Sequence, residues 1–239
     1  MSIASNERPR LANPCQKFIK IDSTDEKLNF WDKEKKERVE VPIFQPFVVI
    51  KELTTIKGYS KKFKTGIYSN EIDDLRKPLK VRYFKSEQLK NGGDLATGLY
   101  ADIKDKVKVA GGRYAKSVYA YMGGELVNFM LTGSAFSAFF DLQDELCLQI
   151  SGWKKEKNGV NDYSVPIFQK VDHDEMKAEI EEATKIWEEI LKPYLNEYFK
   201  NNAVAGDVQN SKETKSNIKE QSKEQPGFDD DIPVEELPF

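Results

Sequence analysis

Up to Val171, apolar side chains recur mostly at every second position, in short runs punctuated by Gly, Asn and charged residues. That period places alternate residues on opposite faces of a strand, so residues 1–171 are expected to form a mainly β body. Residues 17–21, 28–31 and 38–41 read as short strands around a polar hairpin. Residues 46–50 continue to position 56 as one long strand. Over 79–85, Leu79, Val81 and Tyr83 share one face while Lys80, Arg82 and Phe84 share the other. Residues 116–122 and 125–131 flank Gly123 and Gly124, and residues 146–155 and 162–170 flank Asn158 and Gly159, two patterns of hairpin form. Residues 133–142 read as a helical segment that caps the sheet. Short strands with such punctuation build a barrel or a sandwich.

After Val171 the period changes. Met176, Ile180, Ala183, Trp187, Ile190, Tyr194 and Tyr198 recur at spacings of three and four, the stripe of an amphipathic helix over residues 172–202. Asp172 with Glu175 has the spacing of a capping box, and Pro193 should kink the helix or start a second one. The expected role of this helix is to pack on the β body. Residues 203–227 are mostly Gln, Asn, Ser, Lys and Glu, with almost no large apolar side chain. Such a segment cannot bury enough surface to offset its ordering entropy, so it is expected to be a disordered linker.

The net charge of −3 hides a division along the chain. Residues 1–171 carry 29 basic and 22 acidic side chains; residues 172–202 and 203–239 each carry 4 basic and 9 acidic. A basic body followed by acidic pieces points to polyanion binding with an acidic tail. The single histidine, His173, excludes chemistry that needs two imidazoles, and Cys15 and Cys147 are too few for a Cys-rich zinc site. Both thiols are expected to be reduced and free. The N-terminus has no apolar leader segment, and no run approaches the length of a membrane span. A soluble cytoplasmic protein is expected, with no membrane partner, no metal and no cofactor.

The last twelve residues form an acidic tip, residues 228–239. The acidic runs Asp229, Asp230, Asp231 and Glu235, Glu236 are interrupted by Phe228, Ile232, Pro233, Val234, Leu237, Pro238 and Phe239. Apolar side chains among carboxylates suit a docking peptide: the ring enters a pocket and the acids pair with cations at its rim. This tip resembles that of bacterial single-stranded DNA-binding proteins, which end Asp-Asp-Asp-Ile-Pro-Phe, and of bacteriophage counterparts that end in an acidic tail with a final Phe. Here the same elements are split by residues 234–237, and the resemblance covers only about a dozen residues. It implies a bacteriophage-type relative with an elaborated OB-like barrel as its body. It also implies a non-catalytic role in replication or recombination, in the cytoplasm of a bacterial host, with single-stranded DNA and replication or recombination proteins as partners. Oligomeric state is left open.

Between positions 51 and 90 there are eleven basic and five acidic residues, nearly all the positive excess of the body. Aromatic residues are interleaved with them. Cations that track phosphates, beside rings that stack on unpaired bases, are what sequence-tolerant single-strand binding needs. The candidate contacts are Tyr59, Lys61, Lys62, Lys64, Tyr68, Lys80, Arg82 and Phe84. Arg113, Tyr119, Tyr121, Trp153 and Lys155 form a second rank. Two other readings stay open: an acidic-tailed adaptor or inhibitor that binds no DNA, and a two-metal nuclease using Asp73, Asp74, Asp102 and Asp105. Residues 92–98 are rich in Gly but lack the lysine and hydroxyl of a phosphate-binding loop.

Overall fold

The computed structural model of the protein describes residues 11–15, 17–32, 34–158 and 161–202. The linker and the acidic tip lie outside the described residues, as does Gly159 of the second hairpin. The body is mainly β, as the period of two requires. One sheet runs in the order β3 (Glu37–Val41), β2 (Lys27–Asp32), β1 (Lys17–Asp22), β9 (Glu125–Thr132), β8 (Gly112–Met122), β4 (Phe47–Ser60), β5 (Thr65–Ser69), β6 (Leu79–Tyr83), β7 (Gly93–Gly98). The hairpin of β10 (Cys147–Asn158) and β11 (Asn161–Lys170) joins it through β4.

The expected closure into a barrel is not made. Among the described residues, β3 and β7 end the path with one edge unpaired, and the edge of β4 away from β8 is divided. Its first residues pair with β10 (Phe47 opposite Leu148), while its last pair with β5 (Lys57 opposite Tyr68). A strand shared in this way forks the sheet. Side chains bridge part of the opening: Glu26, in the β1–β2 turn, accepts a hydrogen bond from Ser164 Oγ at 2.7 Å and pairs with Lys155 of the far hairpin.

The sheet packs three layers. On its inner face lie two cores. Ile19, Leu28, Phe47, Val118, Phe129, Leu131, Leu148 and Phe168 gather with Phe136 and Phe139 of α2 (Gly133–Phe140). Ile56, Ile67, Leu79 and Val81 gather with Ile103 and Val107 of α1 (Tyr100–Ala110). Gly111 ends α1 in the left-handed region (φ 96°), and its carbonyl accepts the Tyr59 amide at 3.2 Å. A Cβ on Gly58 would stand 2.1 Å from that carbonyl oxygen, so only glycine lets the helix end meet β4.

On the outer face the C-terminal helix covers the middle of the sheet. It starts later than expected: Asp172 accepts the Asp174 amide at 2.8 Å and organises a turn, so α3 (Lys177–Ile186) begins without the capping box. A π turn (Trp187–Leu191) then leads into α4 (Lys192–Asn202). The wider turn precedes Pro193, which lacks an amide proton, and the chain passes it without breaking. The extra residue also moves the buried stripe by one position. Leu191 and Leu195 are buried against Cys15, Leu53 and Tyr119, and Ile190 is left 46% exposed.

Candidate nucleic-acid interface

The phase of β4 determines where the candidate residues face. Phe47 and Val49 point to the inner face. A bulge at Ile50 then breaks the register between Val49 and Lys51, and from there Leu53, Lys57 and Tyr59 take the outer face. Glu52 and Ile56 take the inner one. Cross-strand pairing carries this phase outward. Arg113 lies opposite Lys57, Lys57 opposite Tyr68, and Tyr68 opposite Arg82, so one row crosses β8, β4, β5 and β6. Residues directly opposite share a face.

The next row holds the aromatic surface. The Phe84 amide donates to the Gly66 carbonyl at 2.9 Å, which extends the pairing beyond the end of β6. Its ring then lies over Gly66 and stacks on Tyr68, with centroids 4.3 Å apart and planes 21° from parallel. Phe84 remains 51% exposed. Gly66 is a positioning residue here: a Cβ at this place would meet Phe84 Cδ2 at 2.6 Å. Gly66→Ala is therefore expected to displace the ring while leaving the fold intact, because the backbone at 66 is not in the left-handed region. Near-ultraviolet circular dichroism should change while the far-ultraviolet spectrum does not.

The flanking charges are ordered differently. Arg82 Nε donates to Asp94 at 2.7 Å, and Arg113 is exposed with no ion pair among the described residues. The Lys80 amide donates to Asn70 Oδ1 at 2.6 Å, which holds that strand against the 70–78 loop. Lys61, Lys62 and Lys64 stand exposed in the β4–β5 turn, Lys62 with its ammonium 5.2 Å from the Phe63 ring centre. Lys57 was not singled out by sequence reasoning, yet it occupies the centre of the row. The signal was its alternation with Ile56, which only a known phase for β4 would have made readable.

Behind Lys57 lies a polar cluster under the helix. Tyr119 donates to Glu71 at 3.0 Å, Asn13 Nδ2 donates to the Tyr119 oxygen at 3.4 Å, and Tyr198 accepts the Glu71 amide at 2.9 Å. Burial pushes the Glu71 carboxyl above its usual range, opposed by the Ser117 and Tyr119 hydroxyls and by Lys57. Burial likewise pulls Lys57 down, opposed by Glu71. This cluster fastens α4 beside the row. Asn202, its last residue, lies by the 70–78 loop, where Phe199 receives the Lys77 ammonium 5.0 Å from its ring centre.

Four second-rank candidates stand elsewhere. Tyr119 is fully buried and Tyr121 packs with Val48, Cys147 and Met176, because the helix covers that stretch of β8. Neither ring can stack on a base in this arrangement. Trp153 packs against the first core, and Lys155 is tied to Glu26 across the sheet opening. Of the acids considered for metal binding, Asp73 pairs with Lys77 at 2.7 Å, Asp74 pairs with Arg76, and Asp102 and Asp105 are exposed on α1. The Arg76 guanidinium and amide hold the Asp74 carboxyl down at about 2. Comparison with protein-family models, curated proteins and solved structures finds no match.

Proposed function

We propose that the protein is a non-catalytic, sequence-tolerant single-stranded DNA-binding protein acting in replication or recombination. The observation that carries this reading is the outer-face row Arg113–Lys57–Tyr68–Arg82, with Phe84 stacked on Tyr68 and half exposed beside it. Rings of any kind stack on any base, and cations spaced along the strands follow a phosphate backbone, so such a face binds without reading sequence. The curled sheet would serve as an OB-like platform, its open side drawn together by Glu26, Lys155 and Ser164. The acidic tip, from Asp229 to Phe239, would recruit a replication or recombination enzyme through its apolar residues and carboxylates. The resemblance of that tip to those of bacterial and phage single-stranded DNA-binding proteins supports the cytoplasm of a bacterial host as the site of action.

Fluorescence anisotropy with labelled oligo-dT, oligo-dA and duplex DNA tests the reading. Both single strands are expected to bind, and the duplex much more weakly. Affinity should fall by about 0.7 log unit per log unit of salt for each phosphate neutralised. Replacing Lys61, Lys62 and Lys64 together should flatten that slope. Absence of binding to every probe would leave the adaptor reading in its place.

A further inference from the structure

The geometry points to a second base-stacking platform on the same outer face of the sheet, built from Phe18, Trp31 and Arg38 and engaged by strands long enough to reach it from the Tyr68–Phe84 stack. It rests on the single-strand reading above. In β1 and β2, Ile19, Ile21, Leu28 and Phe30 enter or line the first core. The intervening positions therefore face outward, and they include Phe18, 46% exposed, and Trp31, 56% exposed. Among the described residues, the aromatic rings this open are Phe18, Trp31, Phe44 and Phe84.

Both rings lie on the face that carries the first row. Phe18 lies beside Asn128, Asn128 opposite Tyr119, and Tyr119 opposite Lys51, so the register runs without interruption from β1 to β4. The helix covers the middle of this face and leaves two open wings, one on β5 and β6 and one on β1 to β3. By strand spacing and rise, Phe18 and Tyr68 are separated by about 30 Å along the sheet. A single strand crossing one side of the helix can occupy both.

The chemistry of the second wing favours a nucleic acid over a protein. Arg38 lies opposite Trp31, and its guanidinium has no carboxylate partner among the described residues. Around the rings the face is charged rather than apolar, with Lys20 paired to Asp22 at 3.0 Å and Lys27 to Glu40 at 2.9 Å. The centre of a protein interface is depleted of charge, whereas here five ionised side chains surround the rings and Arg38, free of a carboxylate among the described residues, stands beside Trp31 as a cation for a backbone with unpaired bases.

The test measures affinity of the full chain for oligo-dT of about four and about thirty nucleotides, lengths at the bottom of and well above the range of roughly 4–16 nucleotides for one such site. Trp31→Ala is expected to weaken the long probe about tenfold and leave the short one unchanged, with Trp31→Phe retaining most of the affinity. Phe84→Ala should weaken both. In a Trp153→Phe, Trp187→Phe background, the remaining Trp31 fluorescence should be quenched by the long probe. Weaker binding in Phe84→Ala with none in Trp31→Ala, or an equal effect of Trp31→Ala on both lengths, overturns the second platform while leaving the first. Unchanged affinity in both variants removes the primary reading, and this one with it. A change of oligomeric state in Trp31→Ala with unchanged DNA affinity would make the wing an interface between copies and overturn the inference.

Discussion

Replacing Tyr68 and Phe84 together by Ala should weaken single-strand binding by about five- to a hundredfold while leaving its salt dependence unchanged. The two rings form one stack, 4.3 Å between centres, with Phe84 half exposed, so the pair offers a face to a base. Loss of a stacked base costs about 1–3 kcal/mol, and stacking releases no counterions. Removing Arg82 or Arg113 should do the reverse, lowering the salt slope by about 0.7 for each phosphate that is no longer neutralised. Titrations at several salt concentrations separate the two effects. Equal slopes in all variants would place the phosphate-binding cations elsewhere on the body.

Leu191→Ala should cost about 2–5 kcal/mol of stability, and Ile190→Ala close to nothing. The two residues are adjacent and similar in size, yet Leu191 is fully buried against the sheet and Ile190 is 46% exposed. The cavity left at 191 would open beneath the helix, between Leu53, Tyr119 and Leu195. For a body of this size, each kcal/mol shifts the melting temperature by about 2–4 °C, so a fall on the order of 10 °C is expected. Thermal denaturation followed by circular dichroism measures it directly. Similar destabilisation at both positions would mean that the π turn does not set the phase of the helix in solution.

The neighbouring polar cluster makes stability depend on pH in a defined direction. Burial raises the Glu71 carboxyl above its unfolded value, so the folded state holds that proton more tightly. Its contribution to stability is then greatest below the ordinary carboxylate range and declines as pH rises through the raised value. Depressed carboxyls such as Asp74 act oppositely, losing their contribution as pH falls towards about 2.

Much of the architecture is written in local patterns. The Gly123–Gly124 turn fixed the β8–β9 hairpin, because two consecutive residues at positive φ require glycine there. The alternation of Leu79 and Val81 with Lys80 and Arg82 correctly separated the core face of β6 from its outer face. Other elements were silent. The short strands β5 and β7 contain Gly66, Gly93 and Gly98, which weaken the strand signal. In α1, Tyr100, Ile103 and Val107 form a helical stripe, but Val107, Lys108 and Val109 imitate alternation, and Val109 proves to be 91% exposed.

What the sequence determined by itself was the set of alternating strands, the change of period after Val171 and the concentration of cations and rings between positions 51 and 90. Tertiary structure alone decided which of those side chains meet. Alternation gives two faces but not what covers them, so Tyr119 and Tyr121 stood as second-rank candidates behind Tyr68 until the helix was placed over them. The bulge at Ile50 is the sharper case. Were β4 to alternate regularly through Ile50, the phase that sends Phe47 and Val49 inward would continue, and Lys57 and Tyr59 would point into the second core. With the bulge, they stand on the outer face beside Arg113, Tyr68 and Arg82. The sequence of β4 is compatible with either phase; the bulge is held because it lets one strand bury Phe47 on one side of the sheet and Leu53 on the other, against cores assembled from residues distant in the chain.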